Sequence, residues 1–524
     1  MFIIVIHRLL QSQWLLPLLS SCLLSLWFGK LRYRRINNAV VGVSAPKIRT
    51  CLPFGLGLAY HGYKAVRGCR SLEFWKSFFQ ENGTKEFPYT VESKLGSVRY
   101  ILTADHEIVR AVLATQFEDF EKGEHFNRQW HEFLGDSVFT TDGQSWHRRR
   151  RRIRHIMVKE RMTDLLIFEK HCQKLINHIH GCGHETEIQS LLFQFTLDVA
   201  SEFLFGETVG SLDNPRVEFA TALADVQKVQ ALLARSGSLF WLAPRGKLRK
   251  GMKVIDALIK PYLDRALEIT DEELERNSNS SSKSFTFLHA LARTTRDRQE
   301  MHDELVNLLF AGRDTTAATL SWLFYELSDK PEIVQKIQSE IDSVLGQDQD
   351  RMPTFEELKE MRYLRHTVDE TLRLYPPVPI NVRHAARDTT ISTSKSKAPL
   401  LIRKGDAIAY STLLLQHRPD IYPPTSSTFA PPEEFSPERW DHWTPMPWTY
   451  IPFNGGPRIC VGQQFALTEI YFTTVRILQC FRKLERVDDP RIGLDGDDRK
   501  QFMSSHIVGQ PGRPVRIRFW ENSD

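Results

Sequence analysis

Phe453-Asn454-Gly455-Gly456-Pro457-Arg458-Ile459-Cys460-Val461-Gly462 reads as a loop that ends in one cysteine, with a helix behind it. Gly and Pro shape the loop through the backbone and not through packing. From Gln463 onward, Leu467, Ile470, Val475 and Leu478 recur with helical spacing. Cys460 therefore sits just ahead of a helix N-terminus, where unpaired N–H groups and the helix dipole favour a thiolate. A thiolate held there is a soft metal ligand. Arg458, two residues earlier, offers a cation to a ligand carboxylate. Taken alone, the same residues also fit a buried structural cysteine behind a glycine turn.

Composition sets the frame around this loop. The chain has 524 residues, 41% of them hydrophobic and 25% charged, as in an ordinary globular protein with a large core. Its length leaves one large domain or two open. A net charge of +5 is small for this size and gives no reason to expect nucleic acid as a partner. The 7 cysteines are scattered and show no paired C-x-x-C spacing, which argues for a reducing compartment. Near the N-terminus, residues 14–28 are almost wholly apolar, and Lys30, Arg32, Arg34 and Arg35 follow. Taken from about residue 9, the stretch reaches the ~20 residues of a spanning helix. The basic cluster predicts a body on the cytosolic side. The expected layout is a membrane anchor over residues 1–30, a basic linker over 31–53 and a body over 54–524.

Alternation predicts strands within residues 89–102. Helical patterns dominate residues 146–310, and the serine-rich residues 277–284 read as a solvated loop. Long helices are expected over residues 301–327, 331–345 and 354–374. The last has a capping box, Thr354 with Glu357, at its start and Pro376-Pro377 at its end. Residues 389–411 read as short strands and turns.

Three further stretches carry chemistry. Ala311-Gly312-Arg313-Asp314-Thr315-Thr316 lies inside the first long helix, where a glycine costs ~1 kcal/mol and needs a reason. Small residues there let a flat ligand approach the backbone, and Thr315 can bond its own helix carbonyl and open a local bulge. Glu370 and Arg373 stand at i and i+3 on one helix face. Trp146 and Arg150 share a face one helical turn apart, inside a run of five arginines, Arg148–Arg152, with Arg154 beyond. His178, His180, Cys182 and His184 alternate, but a solvated turn is the better reading of them than a zinc site.

Phe-x-x-Gly-x-Arg-x-Cys-x-Gly over Phe453–Gly462 resembles the heme-binding signature of the cytochrome P-450 family, with Gly455 or Gly456 as its first glycine. Ala311–Thr316 resembles the family's oxygen-activation motif, Glu370–Arg373 its Glu-x-x-Arg motif, and Trp146–Arg150 its Trp-x-x-x-Arg pattern. The likeness spans nearly the whole chain. It looks closest to the fungal branch that hydroxylates n-alkanes and fatty acids, with departures at Gly456 and Val461, where that branch usually has Ala and Leu. Fungal relatives also act on polyketides and terpenoids.

The resemblance implies a mainly α fold with a small β region. It implies heme b with Cys460 as axial ligand to the iron. Trp146, Arg150, Arg383 and Arg458 would bind the heme propionates. Thr315 would steady dioxygen and Asp314 would help relay protons. Glu370, Arg373 and Arg439 would form a buried triad bracing the cysteine loop. Some fatty-acid hydroxylases of the family bind heme covalently through a Glu at the position of Ala311, so the heme here is expected to be non-covalent apart from the Cys460–iron bond. The implied reaction inserts one oxygen atom from dioxygen into a lipophilic substrate at the endoplasmic reticulum membrane. Its electrons would come from a separate NADPH–cytochrome P-450 reductase, with cytochrome b5 as an optional second donor. The basic face around Arg148, Arg149, Arg151 and Arg152 is the expected docking surface. A dioxygen-independent heme-thiolate isomerase or dehydratase, and a non-enzymatic heme sensor, are the rival readings; the Asp314-Thr315 pair argues against both.

Overall fold

A computed structural model describes residues 41–49, 56–68, 70–95, 98–159, 165–181, 185–214, 218–279, 286–427, 429–487, 503–505 and 507–521. The expected anchor lies outside these residues, and among them no helix is long and apolar enough to cross a membrane. Residues 41–49, the described part of the expected linker, dock on the body: Ile48 N–H donates to Glu92 O at 2.8 Å, and Ala45 and Ile48 are buried.

Helices carry the fold. Those used below are α1 (Gly143–Lys159), α2 (Leu165–Gly181), α3 (Ile188–Phe205), α4 (Glu218–Arg235), α5 (Arg298–Leu327), α6 (Pro331–Leu345), α7 (Phe355–Glu360), α8 (Arg362–Leu374) and α9 (Gln463–Cys480). The main sheet has five strands, β1 (Thr90–Leu95), β2 (Val98–Thr103), β3 (Phe120–Glu121), β4 (Asn381–Ala385) and β5 (Ala407–Tyr410), in the order β1-β2-β5-β4-β3. Only the β2–β5 pairing is parallel. A three-stranded sheet, ordered Glu185–Glu187, Arg516–Glu521, Phe481–Arg486, closes the far side. The whole is the mainly α fold with a small β region that the motifs imply.

α5 is the axis. It is buried along most of its 30 residues, because its two halves enter different cores. Leu305 and Leu309 pack with Phe133 and Phe203, while Leu320 and Phe324 pack with Leu372 of α8 and Phe472 of α9. A helix buried on most sides sits in the centre of a domain, and the polar residues α5 buries, such as Asp303, Glu304 and Asp314, accept hydrogen bonds from neighbouring segments. Its middle turn is the exception, and there the cavity lies.

Two expected segments differ from the structure. The helix predicted over residues 354–374 is split into α7 and α8 at Met361, whose ψ of 84° is not helical. The Glu340 carboxylate, reaching over from α6, accepts the Tyr363 and Leu364 N–H groups at 2.8 and 2.9 Å. A long-range cap thus starts a second helix where periodicity reads straight through. The serine-rich loop begins later than expected, because the helix Asp271–Asn279 runs to Asn279; residues 280–285 lie outside the described residues. The capping box of Thr354 and Glu357 is present.

Candidate active site

A cavity of about 310 Å³ lies between α5 on one side and the cysteine loop with α9 on the other. Ala311, Gly312 and Thr315 line one wall, and Phe453, Cys460 and Phe465 line the other.

The loop is set by its backbone. Gly456 has φ +66°, and a Cβ there would lie 1.9 Å from the Leu113 carbonyl oxygen, in a π-helical turn over Ala111–Thr115. Gly455 is extended, at φ −156°, and a Cβ would meet only the Trp448 ring, at 2.5 Å. Gly456 is therefore the glycine the signature requires. Gly455, and not Gly456, is the position whose backbone accepts an alanine, which corrects the departure assigned to Gly456 above. Gly456→Ala is expected to cost about 2 kcal/mol or more, the cost of a strained left-handed residue plus the clash. Gly455→Ala should cost less, since the Trp448 ring can shift. Thermal unfolding of the two variants side by side measures the difference.

Cys460 opens onto the cavity it lines, three residues before α9. Burial pushes its thiol up, while the Gly462 N–H and the Arg150 guanidinium pull it down. Arg150 also donates to Ile459 O at 2.7 Å, so it braces the loop from α1.

Four cations line the cavity, namely Lys122, Arg150, Arg383 and Arg458, and no carboxylate does. Arg383 is 1% exposed, with its Nε unpartnered and one terminal nitrogen donating to its neighbour's carbonyl, Val382 O. The Arg458 guanidinium stacks on Trp146 at 4.3 Å and donates to Thr141 O and to the Asp142 carboxylate, while its Nε is unpartnered. Burial, then the Arg383 charge, lower Arg458 to about 10. Lys122 is pushed well down by burial, by Arg383 and by Arg458, with only Asp142 opposing. Buried like charges with open donors call for an anionic ligand. An iron porphyrin fits these residues: the cations would hold its two carboxylates and Cys460 its iron. Nothing local in the sequence marks Lys122, because β3 and the loop after it bring the lysine to the site.

On α5, the Thr315 hydroxyl donates to Ala311 O at 2.8 Å, as expected, but no bulge opens and the helix stays α throughout. A Cβ on Gly312 would meet only Ala200, at an ordinary 3.8 Å. The protein itself has room for a methyl group, so the reason for a glycine lies on the cavity side. Asp314 does not line the cavity. It is buried, accepting from Arg313 at 2.9 Å and from Gln227 of α4 at 2.5 Å, and burial raises its pKa against the pull of both.

The expected triad is assembled. Glu370 accepts from Arg373 at 2.7 and 2.8 Å and from Arg439 at 3.3 Å, and all three are at most 1% exposed. The basic face is smaller than expected. Arg149 and Arg152 turn inward to Glu300 and Glu304 of α5, leaving Arg148, Arg151 and Arg154 exposed. Carboxylates some 150 residues downstream neutralise two arginines of a run that reads as uniformly basic. His180 pairs with Glu521 at 2.7 Å, and among the described residues no His, Cys, Asp or Glu group could hold a further metal ion.

A family model for Cytochrome P450 matches residues 71–496. Cytochrome P450 monooxygenase pvhE of Talaromyces variabilis is 41% identical over 508 residues, covering 93% of this chain and 92% of its own. Cytochrome P450 52A1 of Candida tropicalis is 36% identical over 491 residues, covering 90% and 88%. Cytochrome P450 52-N1 of Starmerella bombicola is 36% identical over 447 residues, covering 80% and 83%. The chain belongs to the cytochrome P450 family. It is a cytochrome P450 monooxygenase, a heme-thiolate enzyme that uses dioxygen and electrons derived from NAD(P)H, and it acts with a redox partner on a lipophilic substrate.

Proposed function

We propose that this monooxygenase hydroxylates a lipophilic molecule, a fatty-acyl or alkane-like chain or an oxygenated fungal metabolite, in the cavity between Thr315 and Cys460. The cavity carries this reading: its walls are largely apolar and its cations gather at one edge. Cys460 Sγ would hold the heme iron, and Trp146, Arg150, Arg383 and Arg458, with Lys122, would take the carboxylate edge. Bound there, the heme supplies dioxygen activation for insertion of an oxygen atom into a C–H bond.

The protein's own part is orientation, dryness and proton placement. Val138, Phe139, Phe203 and Leu204 exclude water from the substrate side. Thr315 has one donor, given to Ala311 O, so its Oγ1 lone pairs accept a hydrogen bond from the cavity. The raised pKa of Asp314 suits a proton reserve, but its carboxyl must first leave Gln227 to reach the cavity. Residues 1–30 would anchor the enzyme in the endoplasmic reticulum membrane with the body cytosolic, and a separate NADPH–cytochrome P-450 reductase would dock on the face around Arg148, Arg151 and Arg154.

The test is reconstitution with reductase, isotopic dioxygen and candidate substrates, run beside Thr315→Ala. That variant should keep the heme and divert electrons to peroxide, lowering product per NADPH by roughly a hundredfold, the low end of what a lost proton-transfer group costs. Unchanged coupling would remove Thr315 from the assigned role. A wild-type enzyme that oxidises none of these molecules would sink the substrate reading.

A further inference from the structure

α5 carries a polar side chain in the cavity lining that no part of the chemistry above uses. Asn307 lines the cavity one turn before Ala311 and two turns before Thr315. The residue is only 5% exposed. Its amide makes no hydrogen bond with any described residue, although Asn offers two donors and two acceptor sites. Around it stand Val138, Phe139 and Leu308, all apolar. A buried amide left without a partner costs free energy that an apolar residue of the same size would not. A ligand-facing role removes that cost. Asn381, half-buried on β4, is a second amide in the lining whose side chain has no partner among the described residues.

We infer that Asn307 orients a neutral oxygen function on the substrate, a hydroxyl or a carbonyl, held about 12 Å from the Thr315 end of the cavity. The distance follows from eight residues at 1.5 Å per residue along α5. This rests on the reading above that the reacting carbon sits beside Thr315.

Charge decides against a carboxylate. On α5 the helical neighbours of Asn307 at i−4 and i−3 are Asp303 and Glu304, both acidic and buried. Neither offers a cation to an anion brought to Asn307, and the countercharges beside them, His302 and Arg149, are already held by these two carboxylates. Nor do they invite an ammonium, since they are already engaged. Asp303 accepts the Asp136 N–H at 2.8 Å, and Glu304 accepts the Val138 N–H and pairs with Arg149 at 3.2 Å. The lining cations are committed elsewhere on the reading above: Lys122, Arg383 and Arg458 would take the heme carboxylates, and Arg150 braces the cysteine loop at Ile459 O. A neutral donor or acceptor is the polar group this wall receives. Among lipophilic molecules that favours a chain or ring system already bearing oxygen over a bare alkane or a fatty-acid anion.

The test uses the full-length holoprotein and four probes of one chain length: dodecane, dodecanol, dodecan-2-one and dodecanoate. Binding is read by calorimetry and by the optical shift of the bound heme. Dodecanol and the ketone should bind more tightly than dodecane or dodecanoate. Asn307→Leu should weaken both oxygenated probes by roughly tenfold while leaving dodecane unchanged. Asn307→Asp keeps the size of the side chain and accepts but cannot donate. It should hold dodecanol and lose the ketone, a split that a packing role for Asn307 would not produce. Equal binding of all probes by wild type and both variants overturns the inference and leaves the lipophilic reading standing. Tightest binding of dodecanoate, lost in Lys122→Met, overturns it in favour of an anion site. Failure of wild type to bind any of the four overturns both.

Discussion

Cys460→Ser is expected to abolish the thiolate-type band of the reduced carbon-monoxide complex and to lower turnover by roughly a hundredfold or more. A hydroxyl is a poor donor to a soft metal centre. It also cannot supply the electron density that a thiolate pushes toward oxygen–oxygen cleavage. The free thiol is held up by burial, so the protein alone does not ionise it fully; the Gly462 N–H and Arg150 only lessen the cost. A bound iron would favour the thiolate and supply what the protein alone does not. The variant's fold should survive, because the loop is fixed by Gly456, by the Cys460 N–H donating to Phe453 O at 3.0 Å and by the Arg150 bond to Ile459 O. The change is thus confined to the sulfur. The measurement is the difference spectrum of the purified variant, with thermal unfolding as the control. A normal band from a folded variant would remove Cys460 as the axial ligand.

That prediction was open to sequence reasoning because its parts are contiguous. Gly456, Arg458, Cys460 and the start of α9 fall within a dozen residues, and their backbone demands are local. The same holds for Thr315 and Ala311, one helical turn apart, and for the strands in residues 89–102, which pair with each other as chain neighbours, although their burial runs from one end to the other and not on alternate residues. What stayed hidden depends on contacts between distant segments. Asp314 has the residue type of a proton relay, but only the packing of α4 on α5 shows it tied to Gln227. Arg149 and Arg152 read as surface charge until Glu300 and Glu304 are brought beneath them. The break at Met361 answers to a carboxylate on another helix. Lys122 and Asn307 belong to no local pattern, and only the cavity gives either of them a purpose.

Glu370→Gln is expected to destabilise the body by about 3–5 kcal/mol and to lower heme retention with it. The substitution keeps the shape and removes the charge, leaving two buried guanidiniums without their counterion. Glu370 is the hub: besides Arg373 and Arg439 it accepts the Ser436 N–H and the Trp440 Nε1–H, both at 3.0 Å. Burial opposes the charge on Arg373, but Glu370 outweighs it and raises that guanidinium's pKa. The two arginines in turn collect backbone carbonyls. Arg373 donates to Pro432 O at 2.7 Å, and Arg439 donates to Ala430 O and Pro431 O, each at 2.8 Å. One carboxylate therefore fixes the irregular segment 430–440 onto α8. Trp440 packs edge-on against Tyr450 at 4.9 Å, and Tyr450 donates to Asp369 of α8 at 3.0 Å, three residues before the heme-binding signature begins at Phe453. Loosening Glu370 should thus reach the cysteine loop through Trp440 and Tyr450. An exposed pair at the same i, i+3 spacing would contribute at most about 1 kcal/mol, so the two readings of Glu370 and Arg373 differ severalfold. Chemical denaturation of the variant, together with its heme-to-protein ratio, separates them. A loss below 1 kcal/mol with full heme content would mean that the triad does not brace the loop.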